Sequence, residues 1–382
     1  MSKILVSLVS EQTIPNVELI KEFKNDIDQL LFITTARMEA NGQDQWIIDA
    51  ADARNIPLHK IVVNAFEPSD ILAKLNAYPF SQDDEYIVNI TGGTKLMSLM
   101  VHSFFQNLAH TQIYYVTGQN KVYLKLYPIE EGNGHLTMQH RITLDEYLKA
   151  YGFEIKKSVQ TCAYSHDYIE HFLQKFMEAE DYHFEAIGNL RNLRNKARKK
   201  TVEIYDPQIG EFLDDFDFIP KIKGSLTKSE INFLTGEWFE WLTYYRVKND
   251  LQLDAAQIGL GYKLFKGTVD NELDVLFVHN NKLYTIECKT GITAREYTPD
   301  GKEKIRNLLS EIVYKSDSLQ NKLGLFVNAS VFILSEIYQE DGVTPIQNLK
   351  PGLERAQQMN INVFGRKDIL SGKTVRELLN IQ

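Results

Sequence analysis

Five short apolar runs near the start of the chain constrain its fold more than any other feature. They lie at 3–10, 29–36, 59–66, 85–92 and 111–118 and are rich in Val, Ile and Leu. Helix-like stretches near 15–25, 38–54, 69–77 and 94–109 separate them. Strands that are apolar on both faces and joined by helical crossovers form a parallel sheet covered on both sides. A further run at 121–129 follows after Gln119 and Asn120, and suits an antiparallel edge strand. The expected class is α/β, with a Rossmann-like parallel sheet flanked by helices over 1–150.

The pattern changes after Tyr151. A helical stretch at 166–182 precedes a basic run, 191–200, with Arg191, Arg194, Lys196, Arg198, Lys199 and Lys200 and no acid. The stretch 203–218 then carries six acids and no base. A long helix is expected over 228–249, then a strand hairpin around 271–290. After it come a charged helical segment near 301–320, strands near 325–335 and a closing helix–strand–helix. These elements imply a second α/β domain with a mixed sheet over 226–382, and a helical linker over 151–225. At roughly 100–200 residues per domain, 382 residues fit two domains.

Two loops of the first domain are suited to a ligand. "SEQTIPN" leaves the first strand and contributes Ser10, Gln12 and Thr13; Pro15 suits a first helical turn. "TGGTK" leaves the fourth strand and contributes Thr91, Gly92, Gly93, Thr94 and Lys95. In a sheet of order 3-2-1-4-5, strands 1 and 4 meet at the topological switch point, where ligands bind. Glycines that admit close backbone approach, a helix N-terminus and a lysine suit an anion. The loop has neither the Walker A pattern nor G-x-G-x-x-G. A plain Gly-Gly turn with Thr94 as an N-cap is the simpler alternative.

The hairpin "NELDVLFVHNNKLYTIECKT" carries the second constellation. With Asn280-Asn281 as a two-residue turn, His279 pairs Lys282 and the register brings Asp274 opposite Glu287. Two such charges about 5 Å apart repel by roughly 3 kcal/mol at an effective dielectric near 20. A divalent cation between them converts the repulsion into coordination. Strand alternation puts Leu283, Thr285, Glu287 and Lys289 on one face and Tyr284, Ile286 and Cys288 on the other. Cys288 is therefore a packing residue. Glu237 lies among Phe233, Leu234 and Trp241 at helical spacing, inside an apolar face, whereas Glu240 falls nearer the margin.

The net charge of -9 excludes a global positive field, so an anionic partner has to meet a local patch. Two cysteines, Cys162 and Cys288, suggest no disulfide framework and fit a reducing cytoplasm. No apolar stretch approaches the ~18 residues of a membrane span. Cys162, His166 and His171 match no zinc spacing.

An acid on a helix, then Asp274, then Glu287-Cys288-Lys289 resembles the PD-(D/E)xK nuclease superfamily, with Leu273 in place of the proline. That resemblance implies Mg²⁺ or Mn²⁺ held by Asp274, Glu287 and the Cys288 carbonyl. Glu237 would be the helix acid and Lys289 the residue that positions water and meets phosphate charge. The two loops together with this core resemble the CRISPR-associated Rossmann-fold (CARF) nucleases of type III CRISPR immunity. The resemblance spans essentially the whole chain. It implies a cytoplasmic homodimer whose paired sensor domains bind a cyclic oligoadenylate, cyclic tetra-adenylate above all. It also implies metal-dependent cleavage of single-stranded DNA and RNA, with nicking of duplex DNA. The basic run would hold nucleic acid. Two other readings stay open: a sensor whose second domain only binds DNA, and a constitutive restriction- or repair-type nuclease.

Overall fold

The computed structural model describes residues 1–118, 122–129, 134–157, 161–196, 201–267, 269–297, 303–325 and 327–381. Gln119, Asn120, Lys121, Arg198, Lys199 and Lys200 therefore fall outside it, as does the very start of the expected helix at 301–320.

The first sheet is built from β1 (Lys3–Leu8), β2 (Gln29–Thr34), β3 (Leu58–Val62), β4 (Glu85–Asn89), β5 (Thr111–Val116), β6 (Val122–Tyr127) and β7 (His135–Thr137). Its order is β3-β2-β1-β4-β5-β6-β7, parallel from β3 to β5 and antiparallel beyond. The crossover helices are α1 (Ile14–Phe23), α2 (Ala36–Asn41), α3 (Gln43–Ala50), α4 (Pro68–Ala77) and α5 (Lys95–Phe105). Alternation on β1 explains the layers. Ile4, Val6 and Leu8 pack with Met97, Val101 and Phe105 of α5, while Leu5 packs with Val17 and Ile20 of α1. Helix α6 (Leu144–Ala150) closes this half, entered through a Thr143–Glu146 capping box.

The second sheet starts earlier than its sequence suggests. Strand β8 (Glu154–Lys157), from the stretch expected to be linker, is the edge strand of the second half's sheet. Helices α7 (His166–Met177), α8 (Asp181–Lys196) and α9 (Pro207–Asp215) follow, with a small ribbon of β9 (Val202–Glu203) and β10 (Ser225–Leu226). The expected long helix is two helices, α10 (Lys228–Asn232) and α11 (Trp238–Leu251), joined by a π-turn, Phe233–Glu237. Next come β11 (Ile258–Lys266), β12 (Val269–His279) and β13 (Lys282–Lys289), then a ribbon of β14 (Thr293–Tyr297) and β15 (Glu303–Asn307). That ribbon stands where the start of a helix was expected. Helix α12 (Leu309–Gln320), β16 (Val327–Ile333), α13 (Lys350–Gln358) and β17 (Asn362–Phe364) complete the layers. The sheet order is β17-β16-β13-β12-β11-β8, mixed in direction. Among the described residues no helix is long and apolar enough to cross a membrane.

The two halves share a core. Leu276, Leu283, Leu323 and Val327 of the second sheet side lie in one apolar cluster with Val17, Tyr147 and Leu148 of the first half. The hairpin tip adds polar bonds. Asn280 and Asn281 both have positive φ, +50 and +60, which makes the two-residue turn. Asn281 Nδ2 donates to Glu18 Oε1 at 2.8 Å, and its Oδ1 accepts the Ile142 N–H at 3.0 Å. Burial pushes the Glu18 carboxyl up to about 7, against the lowering effect of that Asn281 bond.

Asn281→Gly keeps the turn but removes both bonds. It is expected to cost roughly 1–3 kcal/mol in chemical denaturation, because buried partners are left unpaired. An unchanged midpoint would show that the tip bonds carry no stability.

Candidate functional site

The strand order puts the two glycine and polar loops side by side. A Cβ on Gly92 would sit 2.3 Å from the Leu8 carbonyl oxygen, so the β4 loop passes directly over the end of β1. Gly93 has φ +74, a conformation that favours glycine. The hydroxyls, however, are mostly engaged within the protein. Thr91 Oγ1 accepts the Val116 N–H at 2.8 Å. Thr94 Oγ1 accepts the Met97 N–H at 3.2 Å as the N-cap of α5 and donates to the Ala65 carbonyl at 3.0 Å. Thr13 is fully buried and donates to the Ala150 carbonyl, so it faces the interior rather than the crevice. Lys95 is exposed, and Ser10 is half-buried with its hydroxyl against the Gln12 N–H at 3.3 Å. Gln12 turns towards the second half. Its Oε1 accepts the Tyr151 hydroxyl at 3.1 Å and the Leu325 N–H at 3.0 Å.

The second constellation gathers at the open end of the β12–β13 hairpin. The ladder runs from His279↔Lys282 to Val275↔Ile286, the register expected from the turn. One step further out, Asp274 Oδ2 accepts the Cys288 N–H at 2.8 Å. Lys289 Nζ lies 3.1 Å from Asp274 Oδ2, 2.8 Å from Glu287 Oε1 and 3.1 Å from the Cys288 carbonyl oxygen. The Cys288 thiol points the other way into the core, 3.4 Å from Thr243 Oγ1.

Two further groups, not singled out from sequence, belong to this cluster. Lys315 of α12 donates to Glu287 Oε1 at 3.0 Å and Oε2 at 3.2 Å. Glu240, expected at the margin, feels the charges of Asp274, Glu237, Lys289 and Glu287. The π-turn explains the misplacement. It adds a residue to the turn, and Gly236 leaves helical geometry with φ 157. Phe233 and Leu234 therefore no longer index the face on which Glu237 lies. Glu237, the last residue of the π-turn, and Glu240, in the first turn of α11, share a stripe, and Glu240 is the one whose charge couples to Asp274. Glu237 instead bonds Asn232 and feels Arg194 and Glu272.

The charges explain one another. Burial, then the Glu287 charge, push the Asp274 carboxyl up. Burial would raise Glu287 too, but Lys289 and Lys315 outweigh it and hold its carboxyl below the usual range. Burial and then the Asp274 and Glu237 charges push Glu240 up to about 9. Burial would depress Lys289, yet Asp274 and Glu287 hold it above its ordinary value. The cluster thus has more carboxylate than two ammonium groups neutralise, and Glu240 keeps its proton to balance it.

A divalent metal fits these residues. Among the described residues no three His, Cys, Asp or Glu converge as a metal cage. The donors here are two carboxylates and a backbone carbonyl, and all three already meet one cation, the Lys289 ammonium. Hard oxygens around one point suit Mg²⁺ or Mn²⁺.

Of the basic run, Arg191 and Arg194 lie on α8 and are exposed. The side chain of Lys196 lies outside the described residues, with Arg198, Lys199 and Lys200. The influence of Arg194 on Glu237 places this helix beside the acid cluster.

Residues 4–147 match the family model for the Card1 CARF domain, and residues 227–377 match the one for the Card1-like endonuclease domain. Among solved structures, the chain is similar to protein VC1899 from Vibrio cholerae, at 22% identity and a TM-score of 0.70, covering 99% of this chain and 96% of that one. It is also similar to Can2 from Sulfobacillus thermosulfidooxidans, solved in complex with cyclic tetra-adenylate, at 19% identity and a TM-score of 0.70, covering 99% of each chain. A type III CRISPR defence DNA nuclease activated by cyclic oligoadenylate matches at 15% identity and a TM-score of 0.52, over 93% of this chain and 52% of that one. No curated protein matches the chain.

A group whose folded pKa is raised contributes stability below its unfolded pKa, and that contribution is lost as pH rises through the folded value. For Glu240 the window runs from about 4.5 to about 9. Glu240→Gln, a neutral isostere, is expected to melt at higher temperature than the parent at pH 8 without metal. The gap should close near pH 4. A gap independent of pH would contradict the assignment of Glu240 to the charged cluster.

Proposed function

This chain belongs to the CARF nucleases, joining a Card1 CARF domain to a Card1-like endonuclease domain, and on that premise we propose that it is a metal-dependent nuclease switched on by a cyclic oligoadenylate. The supporting observation is the convergence of Asp274 Oδ2, Glu287 Oε1 and the Cys288 carbonyl on the single Lys289 ammonium. A module that only binds DNA has no use for buried carboxylates that repel phosphate.

Asp274, Glu287 and the Cys288 carbonyl would hold Mn²⁺ or Mg²⁺. The bound ion supplies charge to the phosphate and lowers the pKa of water. Without metal, the Asp274 and Glu287 charges hold the Lys289 pKa above its ordinary value against burial, and its ammonium lies beside all three donor oxygens. It orients the attacking water and meets charge on the phosphate oxygens. Glu240 and Glu237 complete the acid side of the site. Arg191 and Arg194 beside it bind the phosphates of a single-stranded DNA or RNA. Duplex nicking follows from the same contacts on one strand.

Ser10, Gln12, Thr91, Gly92, Gly93, Thr94 and Lys95 take the anionic ring. Given their engaged hydroxyls, Thr91 and Thr94 shape the loop, while the glycine backbone and Lys95 meet phosphate. Phe66 and Leu99 are 81% and 68% exposed beside this loop, with Leu96 and Met100 partly covered. We assign this apolar patch to a homodimer contact that sets two copies of the loop against one ring. A ring of identical nucleotides, cyclic tetra-adenylate above all, has the rotational symmetry to meet both. The setting is type III CRISPR antiviral defence in the cytoplasm.

The test is an assay with Mn²⁺ and labelled single-stranded DNA and RNA, with no ligand and with cyclic tri-, tetra- or hexa-adenylate. Cleavage is expected with the tetra-adenylate, and Glu287→Ala is expected to lower it about a hundredfold or more. Equal cleavage without any ring would indicate a constitutive nuclease. Cleavage that survives in Glu287→Ala would sink the site.

A further inference from the structure

Lys315 is not a residue of the family motif, yet it pairs with Glu287 more fully than Lys289 does. Its Nζ meets both carboxylate oxygens, at 3.0 and 3.2 Å, while Lys289 shares Oε1. Lys289 already meets Oε1, so Lys315 closes Oε2, the one Glu287 oxygen that Lys289 leaves open to an ion. An ammonium group has to leave Glu287 before an ion can enter. Lys289 is held by three oxygens of its own hairpin. Lys315 comes from another element, pairs with Glu287 alone among the described residues, and its side chain is 42% exposed. Lys315 is the one placed to swing away.

The helix that carries Lys315 ends against the sensor half. The turn after α12 is gripped at three points. Tyr147 donates to the Leu323 carbonyl at 3.2 Å, and the Leu325 N–H donates to Gln12 Oε1 at 3.0 Å. Gly324, at φ +102, packs so closely that a Cβ there would lie 2.1 Å from the Tyr151 hydroxyl oxygen. Gln12 belongs to the loop that faces the ring. From the end of α12 at Gln320 back to Lys315 is five residues, about 7.5 Å of helix.

We propose that Lys315 is a latch on Glu287 that excludes the divalent metal, and that the ligand releases it by drawing Gln12 off the turn after α12. This rests on the ligand-controlled nuclease reading above and adds how that control reaches the site. The sensor does not need to reshape the hairpin. It needs only to shift a single helix far enough to break the Lys315–Glu287 ion pair.

The experiment measures Mn²⁺ binding to the full chain by electron paramagnetic resonance, with and without cyclic tetra-adenylate. Removing a unit charge so near the ion is expected to tighten Mn²⁺ binding by Lys315→Met about tenfold or more without ligand. Lys315→Arg, which keeps the charge, is expected to bind as the parent does. Tyr147→Phe frees the Leu323 carbonyl while leaving Gln12, Lys315 and Glu287 in place, and is expected to give an intermediate affinity. Lys315→Met binding no tighter than the ligand-free parent would overturn the latch. An unchanged affinity in Tyr147→Phe would overturn the route through α12. If Lys315→Met tightens binding but the parent cleaves nothing with any ring, the latch stands and the nuclease reading falls. If neither protein binds Mn²⁺, both fall.

Discussion

The opposition of Asp274 and Glu287 at the mouth of one hairpin is the constraint around which the second half is organised. Two buried carboxylates facing each other cannot persist without positive charge. The chain supplies it from two directions, with Lys289 on the same strand and Lys315 on α12. Glu240 adds a third acid and balances it by keeping a proton. Asp274, Glu287 and the Cys288 carbonyl converge on the Lys289 ammonium, so the hairpin mouth is where positive charge gathers. The price of that arrangement is a core in which desolvation works against several groups at once.

The same hairpin also ties the two halves together. Its turn is plugged into the first half through Asn281, Glu18 and the Ile142 backbone. Its apolar face shares a cluster with α1 and α6. A few residues before α1 lies Gln12, which reaches the turn after α12. Any movement of the first loop therefore has two routes to the carboxylates. One runs along the hairpin, whose tip is firmly bonded. The other runs through α12, whose grip on Glu287 is a single half-exposed side chain. The weaker joint is the better place for a switch, because a ligand has to outweigh only the contacts that differ between the two states.

Much of this was legible in the sequence because it depends on local rules. Strand period and helical crossovers gave a parallel sheet, to which the doubly wound order was applied, and Asn280-Asn281 set the register that brings Asp274 to Glu287. Gly92 reads in the sequence as room for an anion, whereas the structure sets it against the Leu8 carbonyl at the end of β1. The remainder depended on geometry that periodicity does not carry. The π-turn at Phe233–Glu237 rotates the helix beyond it, so counting by threes and fours from Phe233 chose Glu237 and passed over Glu240. Lys315 sits at an ordinary exposed helix position, and only the packing of α12 on the sheet brings it to Glu287. Strand β8 lies more than a hundred residues before its partner β11. The hydroxyls of Thr13, Thr91 and Thr94 look like ligand groups in a polar loop, but the fold uses them as caps and struts.

The central claim is that the facing carboxylates form a metal site. The most direct measurement is the number of Mn²⁺ ions bound per chain by calorimetric titration, for the parent and for Asp274→Asn, each saturated with cyclic tetra-adenylate. One tightly bound ion in the parent and its loss or strong weakening in Asp274→Asn is the predicted result. Equal binding by the two proteins would contradict it and leave the charge cluster a structural feature without a metal.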